Sequence, residues 1–241
     1  MFTYPENWNS MSMKEKQEAR LAPWLSPEIE FATEEAEAAY KRRTQRLKDV
    51  CQLKTPDRVP AIPLFAGVVA DHTKVTHGEM MYDYDKAVEA IINFHEEYQP
   101  DYQAAANFLP GKVFDVLGLK TYRWPGDGLP GDVTFQMVEK EYMTADEYDQ
   151  LIADPESFYM RTYMPRAFEA LEGWAMLPSF YGSMEFPMIP IMMAPVSAPP
   201  VQQAFKAFLE AANATAEWLG ASAKMGGQLV AGMGLPATAG G

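Results

Sequence analysis

Lys54-Thr55-Pro56-Asp57-Arg58-Val59-Pro60 turns the chain and delivers it into Ala61-Ile62-Pro63-Leu64-Phe65, and the fold depends on how this stretch is read. Ala61–Phe65 is apolar on both faces, which predicts a buried strand, although Pro63 removes a ladder donor. Working upstream, Pro56 ends a helix that starts at Thr33, a suitable N-cap. Glu34, Glu35 and Glu37 suit the positive end of its dipole, and Tyr40, Leu47, Val50 and Cys51 recur at helical spacing. Lys41, Arg42, Arg43, Arg46 and Lys48 are expected on a solvated face of that helix. Residues 1–32 read as an irregular arm with aromatic and Pro punctuation, and residues 33–241 as one domain.

Downstream, a loop holding Asp71, His72 and His77 leads to a helix over Asp85 to Tyr98, with Val88, Ile91, Ile92, His95 and Tyr98 on one stripe. Pro100-Asp101 stops it, and Tyr102–Asn107 is short and small enough to be the next strand. Strand, helix and strand in this order predict a βαβ unit and an α/β fold. A short helix follows over Pro110 to Leu119, then a Gly- and Pro-rich loop over Trp124 to Asp132. Val133, Phe135 and Met137 alternate, which predicts a strand with one buried face in an accessory hairpin. Thr144 and Glu147 have the spacing of a capping box for a helix that stops at Asp154-Pro155. A further helix over Glu156 to Gly173 is expected to kink near Pro165. Phe186–Met193 is the third apolar strand candidate, and Val201 to Leu219 is a long helix opened by Pro199-Pro200. The stretch from Gly226 to Gly241 is glycine-rich.

The 241 residues include 20 Lys and Arg against 33 Asp and Glu, a formal charge of −13. A surface of that sign repels nucleic-acid phosphates and anionic lipid heads, so neither is an expected partner. No apolar run approaches the ~18 to 20 residues that span a bilayer. Cys51 is the single cysteine, so no disulfide forms within the chain, which fits a cytoplasmic setting. Sixteen methionines include the clusters Met80-Met81 and Met184, Met188, Met192 and Met193, which suit an adaptable cavity for a large flat ligand. Ordinary core filling is the plainer account of them. Asp71, His72 and His77 suggest a metal cluster only if a further ligand joins them. His95, on an apolar stripe, reads as a packing residue, and Gly126-Asp127-Gly128 as a plain turn.

Arg42 to Pro60, with the strand Ala61–Phe65 after it, resembles the opening of the uroporphyrinogen decarboxylase superfamily: a basic helix, a Pro-Asp-Arg-Val-Pro turn and the first barrel strand. Asp101 to Leu119, ending in Val-Leu-Gly-Leu, resembles that family's second strand and the Leu-Gly segment after it. Thr144 to Pro155 resembles its short helix ended by Asp-Pro. These matches cover most of residues 40–220. The resemblance implies a partial (β/α)8 barrel, with roughly three of its eight strands present and truncated before closure. Gly234-Leu235-Pro236-Ala237-Thr238-Ala239-Gly240-Gly241 resembles the middle of a member, so a fragment is expected.

The same resemblance guides the chemistry. The decarboxylase places an Arg-Gln-Ala-Gly-Arg stretch after the first strand to fork onto substrate carboxylates, whereas this chain has Phe65-Ala66-Gly67-Val68-Val69. The family's aspartate at the end of the second strand is replaced in Ala106-Asn107-Phe108, and Asn107 cannot supply the charge. The tyrosine expected after the third strand is missing from Ala194-Pro195-Val196-Ser197. These losses point to the methyltransferase branch, which uses zinc held by a His-x-Cys pair and a later Cys to deliver a thiolate to a methyl-corrinoid. Those ligands belong to the second half of the fold, so zinc and corrinoid are expected of a full-length enzyme and neither is assigned to these residues. The implied partners are a small-molecule substrate and a corrinoid protein. Phe65, His72, Asn107 and Met193 are the candidate substrate-binding residues. A carboxy-lyase of tetrapyrrole biosynthesis with relocated carboxylate anchors is one alternative. A non-catalytic tetrapyrrole- or corrinoid-binding protein is the other.

Overall fold

The computed structural model describes residues 3–25, 27–62, 66–103, 108–178 and 189–237. These residues are mostly helical, with one two-stranded antiparallel sheet. The helices are α1 (Met13–Leu25), α2 (Glu34–Cys51), α3 (Ala66–Thr73), α4 (His77–Tyr82), α5 (Tyr84–Tyr98), α6 (Gly111–Leu117), α7 (Tyr148–Ala153), α8 (Pro155–Phe158), α9 (Met164–Ala167), α10 (Ile189–Val196) and α11 (Pro199–Gly227). The strands are β1 (Tyr122–Arg123) and β2 (Gln136–Met137). Among the described residues, no helix is long and apolar enough to cross a membrane. Two compact units divide the chain. The first is Met1–Val69, Val88–Asn107 and Ala221–Gly241, and the second is Ala70–Ala87 and Phe108–Gly220.

In the first unit, α1 corrects the expectation of a wholly irregular arm. Ser12 and Glu15 cap it reciprocally: the Ser12 N–H donates to Glu15 Oε2 at 2.7 Å and the Glu15 N–H to Ser12 Oγ at 3.3 Å. In α2, Thr33 Oγ1 accepts from the Ala36 N–H at 3.1 Å, as the cap residue predicts. Ala36, Tyr40 and Leu47 are buried, and Arg43 and Arg46 are buried on the same stripe. The basic run is therefore only partly a solvated face: Lys41 and Arg42 are exposed, whereas these two arginines turn inward. Cys51 is also corrected, since it is exposed at the helix end and not on an apolar face. Gly234 has φ +61°, and a Cβ there would lie 1.9 Å from the Ala36 carbonyl oxygen, so the chain after Gly232 can approach α2 only through a glycine.

Of the expected strands, Ala61 and Ile62 belong to none, and residues 63–65 lie outside the described ones. Gln103 forms a single parallel bridge with Ala237, its N–H donating to Pro236 O at 2.9 Å, while the Asp101 N–H donates to Ala61 O at 2.8 Å. Residues 104–107 are likewise outside the description.

The second unit is built on Leu171, Trp174, Leu177, Val201 and Ala204, with Leu117, Met160, Phe168 and Phe205 packed around them. At Gly173 a Cβ would stand 2.2 Å from Pro200 O, so these segments pack backbone to backbone. The accessory hairpin is present as β1 against β2, pairing Tyr122 with Met137 and Arg123 with Gln136, but Phe135 and Met137 are exposed and no strand face is buried. The Thr144 N–H donates to Glu147 Oε2 at 2.8 Å, and α7 ends before Asp154-Pro155 as the sequence predicts.

Two expectations fail in this unit. Ile189–Met193, taken as the end of the third strand, lies in α10, while residues 186–188 are outside the description. A short apolar run cannot be told from a helix by periodicity, and Pro190 in the first turn with Met192 and Met193 after it suits a helix. The helix expected over 156–173 is interrupted at Phe168, which is extended and bridges Leu119, and not at Pro165. A π-turn over Tyr159–Tyr163 precedes Pro165, so the missing proline N–H is absorbed by a change of helix type.

Candidate functional site

Asp71 and His72 sit in α3 and His77 opens α4, in place of the predicted loop. Asp71 and His77 meet, with Oδ1 and Nε2 3.5 Å apart, but no group of three or more His, Cys, Asp or Glu side chains among the described residues could hold a metal ion. The Asp71/His72/His77 cluster is therefore not assembled. Among the four candidate substrate-binding residues, Phe65 and Asn107 lie outside the described residues, His72 is on α3, and Met193 is on α10 with 48% of its surface exposed. His95 is the packing residue expected: it is fully buried, with Nδ1 2.7 Å from Ile91 O and Nε2 2.6 Å from the Gln103 side-chain amide. Burial pushes its pKa below the usual histidine value, against the hydrogen bonds to Ile91 and Gln103, which act the other way. The ring Nε2 faces Gln103 Oε1, and both contacts help hold the ring in place.

The densest polar cluster lies in the first unit, around the turn that opened the sequence reading. Asp101 is fully buried. Its carboxylate accepts from Arg46 Nη1, from Arg58 Nη2 at 2.8 Å and from the Ala61 N–H at 2.7 Å. Arg46 also forks onto Asp57 through Nε at 2.6 Å and Nη2 at 2.5 Å, and this holds the Asp57 carboxyl down at about 2. Arg43, one turn earlier, donates to Pro100 O at 2.9 Å, Met233 O at 2.7 Å, Gly234 O at 2.9 Å and Gln99 Oε1 at 2.7 Å. The two buried arginines, Arg43 and Arg46, thus have their charge or donors met, which is what burial of such groups requires, while Arg58 reaches Asp101 from an exposed position. The sequence reading missed this cluster, taking Asp101 for a helix stop and the arginines for solvated charges. The signal was present: Arg43 and Arg46 are spaced to share a helix stripe with Tyr40 and Leu47.

A cleft of about 590 Å³ opens in the second unit, lined by Lys120, Lys140, Glu141, Tyr142, Arg161, Thr162, Pro165, Arg166, Glu172 and Ala175. The Leu119–Phe168 bridge sets Lys120 beside α9, with its N–H donating to Ala167 O at 2.8 Å. Tyr142 Oη donates to Lys120 O at 2.8 Å, and Arg166 Nη1 donates to Tyr142 O at 3.0 Å, so the wall is cross-tied. Arg166 forks onto Glu147 at 2.8 and 2.6 Å, which lowers the Glu147 carboxyl to about 2, and Lys120 pairs with Glu172. Arg161, carried on the π-turn, is held by Ser157 Oγ, with Nε at 2.8 Å. Pro165 and Glu147 were read only as a helix kink and a cap, and the cations were not singled out, because Lys120, Lys140 and Arg161 come from three separate segments and follow no motif.

The class these features define is a mostly helical protein with a small antiparallel hairpin, one buried arginine–aspartate cluster and one basic cleft. No family model, no curated protein and no solved structure matches the chain.

Proposed function

We propose that the chain is the N-terminal part of a uroporphyrinogen decarboxylase-like (β/α)8 barrel whose complete form performs corrinoid-linked methyl transfer in the cytoplasm. The observation that carries the scaffold is the buried Asp101 carboxylate, which fastens Arg46, Arg58 and the Ala61 N–H together. It ties the Pro-Asp-Arg-Val-Pro turn to the segment entering at Tyr102, and the Gln103–Ala237 bridge beside it is parallel, as a barrel pairing must be. In barrels of this kind the N-terminal ends of strands carry stability and the C-terminal ends carry chemistry. A charge cluster beside the Pro-Asp-Arg-Val-Pro turn is in keeping with a structural role for that end.

The methyl-transfer assignment rests on residue types. Phe65-Ala66-Gly67-Val68-Val69 offers no guanidinium for carboxylate-rich pyrroles, and Asn107 replaces the charge a departing carbon dioxide would need. Zinc, when bound, would lower a thiol pKa and supply a thiolate. The described residues do not provide its ligands, which the resemblance assigns to the barrel's second half. Full-length protein produced with zinc is expected to demethylate methylcobalamin when a thiol acceptor is present, followed by the loss of its visible absorbance. Failure with every thiol tried, together with carbon dioxide release from uroporphyrinogen, would select the lyase. Corrinoid binding without turnover would select a carrier protein.

A further inference from the structure

With 33 acidic side chains against 20 basic ones, carboxylates are in surplus in this chain. An arginine without one is therefore notable. Among the described residues Arg43 lacks a carboxylate, but four oxygen acceptors satisfy it, and this is not so of Arg161. Its Nε and Nη2 both spend themselves on the single hydroxyl of Ser157, a neutral acceptor. That leaves roughly three of the five N–H groups of the fork unclaimed. Lys140, on the same cleft, rests 5.7 Å from the centroid of the Tyr142 ring, and no ion pair joins it to a carboxylate among the described residues. The other two cations of the cleft are already matched, Lys120 by Glu172 and Arg166 by Glu147. Glu141 on the rim offsets one charge, so the cleft keeps an excess of positive charge in a strongly acidic protein.

We infer that this cleft binds a small organic oxyanion, a carboxylate or phosphate group seated on the Arg161 fork and on Lys140. Its volume of about 590 Å³ suits a small molecule. The π-turn over Tyr159–Tyr163 displays Arg161 and Thr162 toward the same space, and such turns recur at functional sites. Cross-ties from Tyr142 and Arg166 hold the walls before any ligand arrives, so little ordering entropy opposes binding. The site lies wholly in the second unit and does not depend on corrinoid chemistry.

Calorimetric titration of the full chain at low salt, with inorganic phosphate, a phosphomonoester and a dicarboxylate in separate arms, tests this. At least one arm is expected to saturate. Arg161→Gln should weaken binding about tenfold or more, the loss of one charged fork, and Lys140→Met should weaken it severalfold. Lys206→Gln, at an exposed α11 lysine outside the cleft, should leave it unchanged. Saturation by the phosphate arms alone identifies a phosphorylated ligand, and by the dicarboxylate alone an organic acid. If Arg161→Gln loses its near-UV circular dichroism, Arg161→Lys is read instead, since it keeps the charge and loses the fork, and it should still weaken binding. No saturation in any arm, or equal weakening by Lys206→Gln, overturns the assignment.

Discussion

The two units of this chain both bury apolar side chains, Ile91, Leu229 and Leu235 in the first among them, but they differ in what they do with polar groups. Every buried polar or charged side chain among the described residues, Arg43, Thr44, Arg46, His95, Asp101 and Gln103, belongs to the first unit. The second buries Phe108, Trp124, Phe158, Leu171, Trp174, Leu177 and Val201, and its ion pairs, such as Lys112 with Glu217 and Arg166 with Glu147, stay at the surface. A charge cluster is directional and fails when one partner is lost, because the remaining charge has no water to turn to. An apolar core is tolerant in geometry and fails by degrees, in proportion to the cavity left behind. The first unit is thus built for a single register of its segments, and the second for bulk stability.

The sharpest way to break this contrast is Asp101→Ala. It removes the acceptor of Arg46 Nη1, of Arg58 Nη2 and of the Ala61 N–H while Arg46 keeps its fork on Asp57, and a loss of about 3 kcal/mol is expected in a urea titration, the lower end for opening a buried ion pair. A loss of under about 1 kcal/mol would show Asp101 to be solvated and the contrast unfounded. In the second unit the matching change is Leu171→Ala, at a fully buried position of the core. About 3 kcal/mol is expected. Leu171→Met should cost less than half as much, because volume is nearly kept. A graded series here and an abrupt loss at Asp101 is the outcome that distinguishes the two designs.

How much of this was legible beforehand follows the range of the interactions. Local devices read well: the Thr33 cap and Pro56 bound α2, Pro100 ends the helix that became α5, and Pro199-Pro200 opens α11. Each works through residues within one turn. The arginine cluster did not read, because Asp101 meets Arg46 across 55 positions and Arg58 across 43, and no spacing rule reaches that far. Ile189–Met193 failed for another reason. Eight apolar residues carry no periodicity, and nothing in Ile-Pro-Ile-Met-Met chooses strand over helix until its packing is known. The basic cleft was invisible because its cations come from separate segments, and which of them meets a carboxylate and which a hydroxyl is decided by the fold. Such a property belongs to the fold and cannot be counted from composition.

Caps should respond alike in the two units, since their mechanism is local. Thr33 Oγ1 accepts from the Ala36 N–H at 3.1 Å in the first, and Thr76 Oγ1 accepts from the Glu79 N–H at 3.1 Å in the second. Alanine at either position is expected to cost about 1 kcal/mol in denaturant unfolding. A much larger cost at Thr33 would mean that the cap is coupled to the charge cluster further along α2, and the contrast would then extend to the helix ends.

Both units should weaken in strong acid, since Asp57 in the first is held at about 2 just as Glu147 and Glu79 are in the second, but the first also holds a buried histidine that responds to milder acid. His95, neutral and buried, has its pKa pushed below 6.5 by desolvation, so below that pH the unfolded chain binds a proton that the folded chain resists. Stability in the first unit should therefore begin to fall as the pH drops through 6.5. The second unit has Glu147 and Glu79, whose carboxyls are held near 2 by Arg166 and by Lys86 against an ordinary 4.5. Their contribution is fully present above about 4.5 and is lost as the pH falls from there toward 2. Both carboxylates are solvent-accessible, so this second step should be the shallowest of the effects named here and should shrink further in salt. His95→Gln should erase the decline that starts near 6.5 and leave the one below 4.5 intact. If the variant instead keeps the upper step, protonation of some other group governs it, and the buried neutral imidazole is not what makes the first unit sensitive to mild acid.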